Sequence, residues 1–248
     1  MFVNRIEVIL LIIMAFLPPV IFAIWIRNTE KYHRERWKPI ILCFCWGATI
    51  AVIASIILEM VLQIPLAISI RDYNSIWFFM AVVVAPFAEE FTKPFALRLK
   101  TVKKELDEFE DGLIYGAVAG LGFSATENLL YGWSFLLKGE NLGSNPVGLF
   151  FLTFLLFMLI RSFGGCLLHA AATAWTGYGV GKSIMNKTSV IRILPFFILA
   201  CFLHAFYNFL VSFEMTGAVI GLIAAMIFVA LSMHIVRKKI RTLDMVSR

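Results

Sequence analysis

The stretch SIWFFMAVVVAPFAEEFTKPFAL, Ser75–Leu97, decides how the rest of the chain reads. Its first half is uninterrupted apolar sequence, and its second half sets Glu89, Glu90 and Lys93 among phenylalanine, alanine and proline. The length suits the roughly 20 residues that carry a helix across a bilayer. A charged side chain at mid-bilayer costs at least ~2.5–3.5 kcal/mol. Three in one apolar run therefore point to a working group held inside a bundle. On a helix Lys93 lies four residues after Glu89 and three after Glu90, within reach of either. Two adjacent carboxylates in a low dielectric titrate as a coupled pair, and the lysine offsets part of their repulsion. Such a group can supply a poised base. Pro86 and Pro94 bracket it, each removing a backbone donor. The carbonyls they free need protein or water partners, which predicts a hydrated cavity.

Outward from this stretch, 60% of the 248 residues are hydrophobic and 15% are charged, against about a quarter charged in soluble domains. The fold class expected is all-α: a polytopic transmembrane helical bundle of seven or eight spans, with residues 1–248 forming one membrane-embedded domain. The spans read as Glu7–Ile26, Pro39–Gln63, Ser75–Leu97, Asp111–Leu137, Val147–Gly181, Ile193–Phe213 and Gly217–Val236. The fifth run exceeds one crossing, and a break near Gly164–Gly165 would make the count eight. The first run has too long an apolar core for a cleaved signal peptide, and its basic residues follow it. Arg27–Lys38, Arg98–Lys104, Lys182–Arg192 and Arg237–Arg248 hold most of the basic residues, against Arg5, Arg71 and Lys138 in the other connections. The positive-inside rule then expects a multi-pass cell-membrane protein with its N-terminus outside and its C-terminus cytoplasmic. The net charge of +6 is accounted for by these loops and gives no reason to expect nucleic acid. Cys43, Cys45, Cys166 and Cys201 have neither metal-finger spacing nor a disulfide framework.

Other spans carry polar groups too. Gly112, Gly116, Gly120, Ser124, Asn128 and Gly132 recur every four residues and form a small-residue ridge for a close helix neighbour. Glu127 stands beside that ridge. Arg161, Gly165, His169, Thr173, Gly177 and Gly181 repeat the spacing in the fifth run. His204 and Asn208 share a face of the sixth. At ~1.5 Å per residue, Glu89, His169 and His204 fall roughly 13–20 Å from one common end of their spans, and Glu127 somewhat deeper. Simpler roles exist: an inter-helix hydrogen bond for Glu127–Asn128, packing for His169, an ion staple for Glu89, Glu90 and Lys93. Glu59 lies near a span end and can snorkel. Glu7, His33 and His234 are assigned nothing, and Glu105–Asp111 reads as a solvated loop face.

Several chemistries lack their parts. There is no His-Glu-x-x-His pair and no Gly-x-Ser-x-Gly elbow. Asp72, Asp107, Asp111 and Asp244 lie in loops or at span ends, so no intramembrane aspartate pair exists. A glutamate-based hydrolysis remains, in which a carboxylate activates water and His204 and Asn208 donate to an oxyanion. His169 or Glu127 would position water or pass a proton. A proton- or cation-coupled transporter would use the same carboxylates, although no inverted repeat is visible. A scaffold gripping a partner through the glycine ridge would leave the buried charges unexplained.

Glu89-Glu90-x-x-Lys93, Phe123-x-x-x-Glu127-Asn128 and His204-x-x-x-Asn208, in this order and each in an apolar span, resemble the motif set of the PrsW family of intramembrane proteases. That family is similar to the CAAX prenyl endopeptidase and bacteriocin-processing superfamily. The resemblance implies a membrane-embedded glutamate protease, with Glu89 as general base, Glu90 as its orienting partner, and His204 and Asn208 as an oxyanion-binding pair. Prenyl endopeptidases have histidine where this chain has Glu127, which favours the PrsW-like branch. His169 has no counterpart in the motif set, and its role rests on position. The partner implied is a membrane-anchored protein substrate, such as an anti-sigma factor or another signalling protein. Glu89, Glu90, Glu127, His169 and His204 have the chemistry zinc accepts. Lys93 already supplies positive charge beside them, so no required metal or other cofactor is expected.

Overall fold

The computed structural model describes residues 5–139, 147–212 and 218–246. These are helical almost throughout, and no strand occurs among the described residues. Seven long helices follow in order: α1 (Arg5–Arg27), α2 (Trp37–Ser69), α3 (Tyr73–Arg98), α4 (Phe109–Gly139), α5 (Gly148–Met185), α6 (Val190–Ser212) and α7 (Val219–Asp244). All but α4 are long and apolar enough to cross a membrane. The expected span ends Phe213 and Gly217 lie outside the described residues, as does Arg248.

The exception, α4, is explained by its place at the centre of the bundle. Its residues from Glu110 to Ala125 are all buried, so protein rather than lipid surrounds them and small or polar residues are tolerated. The two four-residue rows meet here. A Cβ at Gly112 would come within 2.7 Å of the Gly177 carbonyl oxygen, and one at Gly116 would collide with that of Thr173. Only glycine lets α4 and the second half of α5 approach this closely. On the other side, Gly122 of α4 meets the Phe44 backbone of α2. Helices α1 and α2 thus flank α4, α6 and α7 flank α5, and α3 packs between α2 and α6. The outer faces remain apolar, with Ile9, Leu17, Ile57, Ile64, Leu152, Ile198, Ile223 and Leu231 all exposed, as lipid-facing helices require.

The long fifth run does not break. A single π-turn at Arg161–Gly165 interrupts α5, and the helix continues on both sides. Similar π-turns occur at Gly47–Ala51 in α2 and Met80–Val84 in α3. Such insertions often re-aim side chains near working sites. The Met80–Val84 turn makes a backbone bond from Ala85 to Met80, five residues back. The next donor in that register would be Pro86, which has no N–H. The Ala81 carbonyl instead accepts a 2.8 Å hydrogen bond from the Asn208 side chain of α6.

One loop reading is corrected. Glu105–Asp111 is not simply a solvated face, because Glu110 and Asp111 are 2% and 1% exposed. Asp111 Oδ2 accepts from the Asp107 and Glu108 amides at 2.9 and 2.7 Å. Its carboxylate reaches back to cap the start of its own helix, and Glu110 and Asp111 are buried there while Asp107 and Phe109 stay exposed.

Candidate active site in the membrane core

The polar residues of α3, α4, α5 and α6 converge on one buried site. Glu90 and Lys93 have no solvent exposure, and Glu89, His169 and His204 are buried with them. Lys93 Nζ has three protons and three partners: Glu89 Oε2 at 2.9 Å, Glu90 Oε1 at 2.8 Å and His169 Nδ1 at 2.8 Å. It also lies over the Phe123 ring. Glu90 is further held by the Thr173 hydroxyl at 2.8 Å and by His204 Nδ1 at 3.0 Å. Its oxygens are thereby spent on positioning.

Both imidazoles follow one rule. His169 Nε2 lies 2.8 Å from Glu127 Oε2, and a carboxylate there calls for an N–H. Nδ1 then carries the lone pair that accepts from Lys93. His204 donates from Nδ1 to Glu90, which leaves Nε2 bare, 3.9 Å from Glu89 Oε2. These tautomers are assigned from the hydrogen-bond network. The two rings meet edge to face at 4.9 Å. Glu127 also pairs with Arg161 Nη2 at 2.9 Å, while Arg161 Nε donates to Asn128 Oδ1 at 3.0 Å and its guanidinium covers the Tyr131 ring.

With neutral imidazoles the core holds three carboxylates and two cations, a net charge of −1. The residues are suited to a divalent ion. Glu89, His169 and His204 bring one donor atom each within 4.8 Å of one another. Glu89 Oε2 is 3.6 Å from His169 Nδ1 and 3.9 Å from His204 Nε2. Ligands about 2.0–2.1 Å from zinc in a tetrahedral shell lie only slightly closer together. Each histidine also donates its other N–H to a carboxylate, the usual support for a metal-bound imidazole. Lys93 Nζ now contacts two of the same donors, so ammonium and ion would compete for them.

Glu89, Glu90, Lys93, Glu127, His169 and His204 thus come together, with Asn128 one contact away through Arg161. Asn208 does not join them: the bond its amide makes is to the Ala81 backbone. Two participants, Arg161 and Thr173, have no role assigned from the sequence. Both lie on the same row as His169, and that row was the available signal.

A cavity of about 360 Å³ opens beside the site on its α3–α6 face, lined by Phe87, Phe91, Phe95 and Phe197 with Glu90 and Arg98.

Comparison with known proteins agrees with this geometry. The chain is 34% identical over 122 residues to Protease PrsW of Clostridioides difficile (strain 630), a match spanning 49% of this chain and about half, 50%, of that relative. No solved structure matches. Residues 35–233 match the family described as PrsW family intramembrane metalloprotease. That stretch contains every motif residue and most of the bundle, and the chain belongs to the PrsW family.

Proposed function

We propose that the protein is an intramembrane endopeptidase that hydrolyses a peptide bond in a membrane-anchored protein. The observation that carries this reading is the pairing of Glu89 Oε2 with the bare Nε2 of His204 across 3.9 Å. A water between them donates one proton to each and keeps its lone pairs for attack. Glu89 takes the proton as the water oxygen adds to the peptide carbonyl, and then returns it to the leaving amine. Lys93, at hydrogen-bond distance from Glu89, supplies positive charge for the oxyanion in a dry site, where such a charge is most effective. His204 as drawn has no proton on Nε2, and Asn208 is engaged at Ala81. The oxyanion pair implied by the motifs therefore forms only if His204 takes up a proton and Asn208 turns. Glu90, Thr173, His169 and Glu127 hold the reacting groups in register.

Glu89, His169 and His204 would hold a divalent ion if one is used, and it would supply Lewis-acid polarisation of water or carbonyl. Metal content of purified wild type against His204→Ala, with cleavage before and after chelation, decides whether the ion or Lys93 alone is the working cation.

The aromatic cavity between α3 and α6 suits an apolar substrate segment entering from lipid. An anti-sigma factor or similar anchored signalling protein fits that requirement. The basic loops favour a cytoplasmic C-terminus. The transporter alternative is less favoured, because family membership and a buried base beside a bare imidazole both fit hydrolysis.

The test compares N-termini of membrane proteins by mass spectrometry in cells expressing wild type or Glu89→Gln at equal levels. Fragments that need wild type identify substrate and cleavage site. Identical fragment sets with a known substrate present would defeat the proposal.

A further inference from the structure

A second set of buried carboxylates lies at the end of the bundle formed by the α1–α2 connection, the start of α4 and the end of α7. Glu30, Glu108 and Asp111 each bring one carboxylate oxygen within 4.8 Å of the other two. Glu30 is fully buried and Asp111 is 1% exposed. Some of their oxygens are accounted for. Glu30 Oε2 accepts from the Glu35 amide at 3.1 Å, and Asp111 Oδ2 caps α4. Two others, Glu30 Oε1 and Glu108 Oε2, are buried with no hydrogen-bond partner. A buried acceptor left in that state is costly.

The basic residues nearby do not resolve it. Arg27 Nε and Arg34 Nη2 donate to the backbone carbonyls of Glu35 and Glu30 rather than to carboxylates. Arg36 pairs with Glu105, and the exposed His33 ring reaches Glu108 Oε1 only at 3.9 Å. Among the described residues, no lysine or arginine forms an ion pair with Glu30, Glu108 or Asp111.

We propose that Glu30, Glu108 and Asp111 form a binding site for a calcium-class divalent cation, which fastens the α1–α2 connection to the first turn of α4. The donors are all oxygen, and hard cations prefer oxygen where zinc prefers nitrogen and sulfur. Calcium accepts oxygens at about 2.3–2.6 Å in irregular arrangements, so opposite ligands can lie as far apart as these do. The two orphaned oxygens are the ones an ion would satisfy. The surrounding framework is already fixed. Asp244 of α7 accepts from the Lys31 and Tyr32 amides at 2.9 and 3.2 Å, and the Tyr115 hydroxyl donates to Glu35.

The experiment uses the full chain in lipid nanodiscs, stripped with chelator and titrated with Ca²⁺ while thermal unfolding is followed. Tb³⁺ luminescence sensitised by nearby aromatic residues gives a second reading. Saturable stabilisation is expected, with affinity falling about tenfold or more in Glu30→Gln and Glu108→Gln and unchanged in Glu89→Gln. No response in wild type, or an equal response in Glu108→Gln, overturns the proposal. Loss in Glu89→Gln alone would assign the ion to the membrane core instead. Should Glu30→Gln fail to fold, Glu108→Gln, whose side chain is partly exposed, and the wild-type titration still decide.

Discussion

The two carboxylate clusters of this protein solve the same electrostatic problem differently. In the membrane core, Glu89, Glu90 and Glu127 meet Lys93 and Arg161 at 2.8–2.9 Å, and both histidines bridge between them. At the end of the bundle, Glu30 and Asp111 accept from backbone amides, while Glu30 and Glu108 each leave one oxygen unpartnered. The difference follows from access to solvent. A charge deep in a bilayer has little water to draw on, so most of its counter-charge comes from the bundle itself. A cluster at the end of the bundle can take protons or cations from solution. The core thus carries most of its counter-charge within the fold, whereas the end cluster depends on what the solution provides.

The largest test of this contrast is catalytic. Glu89→Gln keeps the shape and removes the base, so cleavage of an identified substrate should fall about 100-fold or more with the unfolding temperature little changed. Retained cleavage would move the base elsewhere in the core. Next, Lys93→Met strips the counter-charge from two buried carboxylates. It should destabilise by about 3–5 kcal/mol, with much of that recovered in the double variant Lys93→Met/Glu90→Gln. An unfolding measurement showing no loss would mean that the core, too, is neutralised by protons.

The end cluster predicts the opposite sign. With chelator present, Glu30→Gln should leave stability equal near neutral pH and higher above about pH 8, where it removes a charge nothing compensates. Its folded-state pKa of about 8 stands above the ordinary 4.5, so the folded state holds the extra proton between those values. Stability should therefore fall as pH rises through that window, and Glu30→Gln should flatten the slope. A slope unchanged in the variant would remove Glu30 from the account. The smallest effect is expected at Asn208→Ala, where the Ala81 carbonyl loses its donor at a cost of about 1 kcal/mol. If cleavage there falls far more than stability does, Asn208 reaches the substrate as well as Ala81.

Much of this was legible in the chain. Apolar blocks marked the helices, the four-residue rows at Gly112 and Gly177 marked the closest packing, and the charges inside spans marked the core. These signals are readable because each is a local cost: a charge in lipid, or a glycine in a helix, has to be offset by something. Glu30 and Asp111 gave no such signal. Acidic residues in connections are ordinarily solvated, and their burial depends on how three separate segments fold over one another.

Hydrophobic length and helical periodicity are properties of consecutive residues, so the sequence alone determined an all-α membrane bundle and most of the charged residues that meet in its core. The partners within that set were decided by the tertiary structure. Lys93 could have reached Glu89 or Glu90 from spacing alone, yet it contacts both, and also His169 from α5. Asn208 shares a face with His204 but serves the carbonyl that Pro86 leaves unpaired on α3. Those choices depend on the approach of helices far apart in the chain, set by glycine contacts and by donors missing from the backbone.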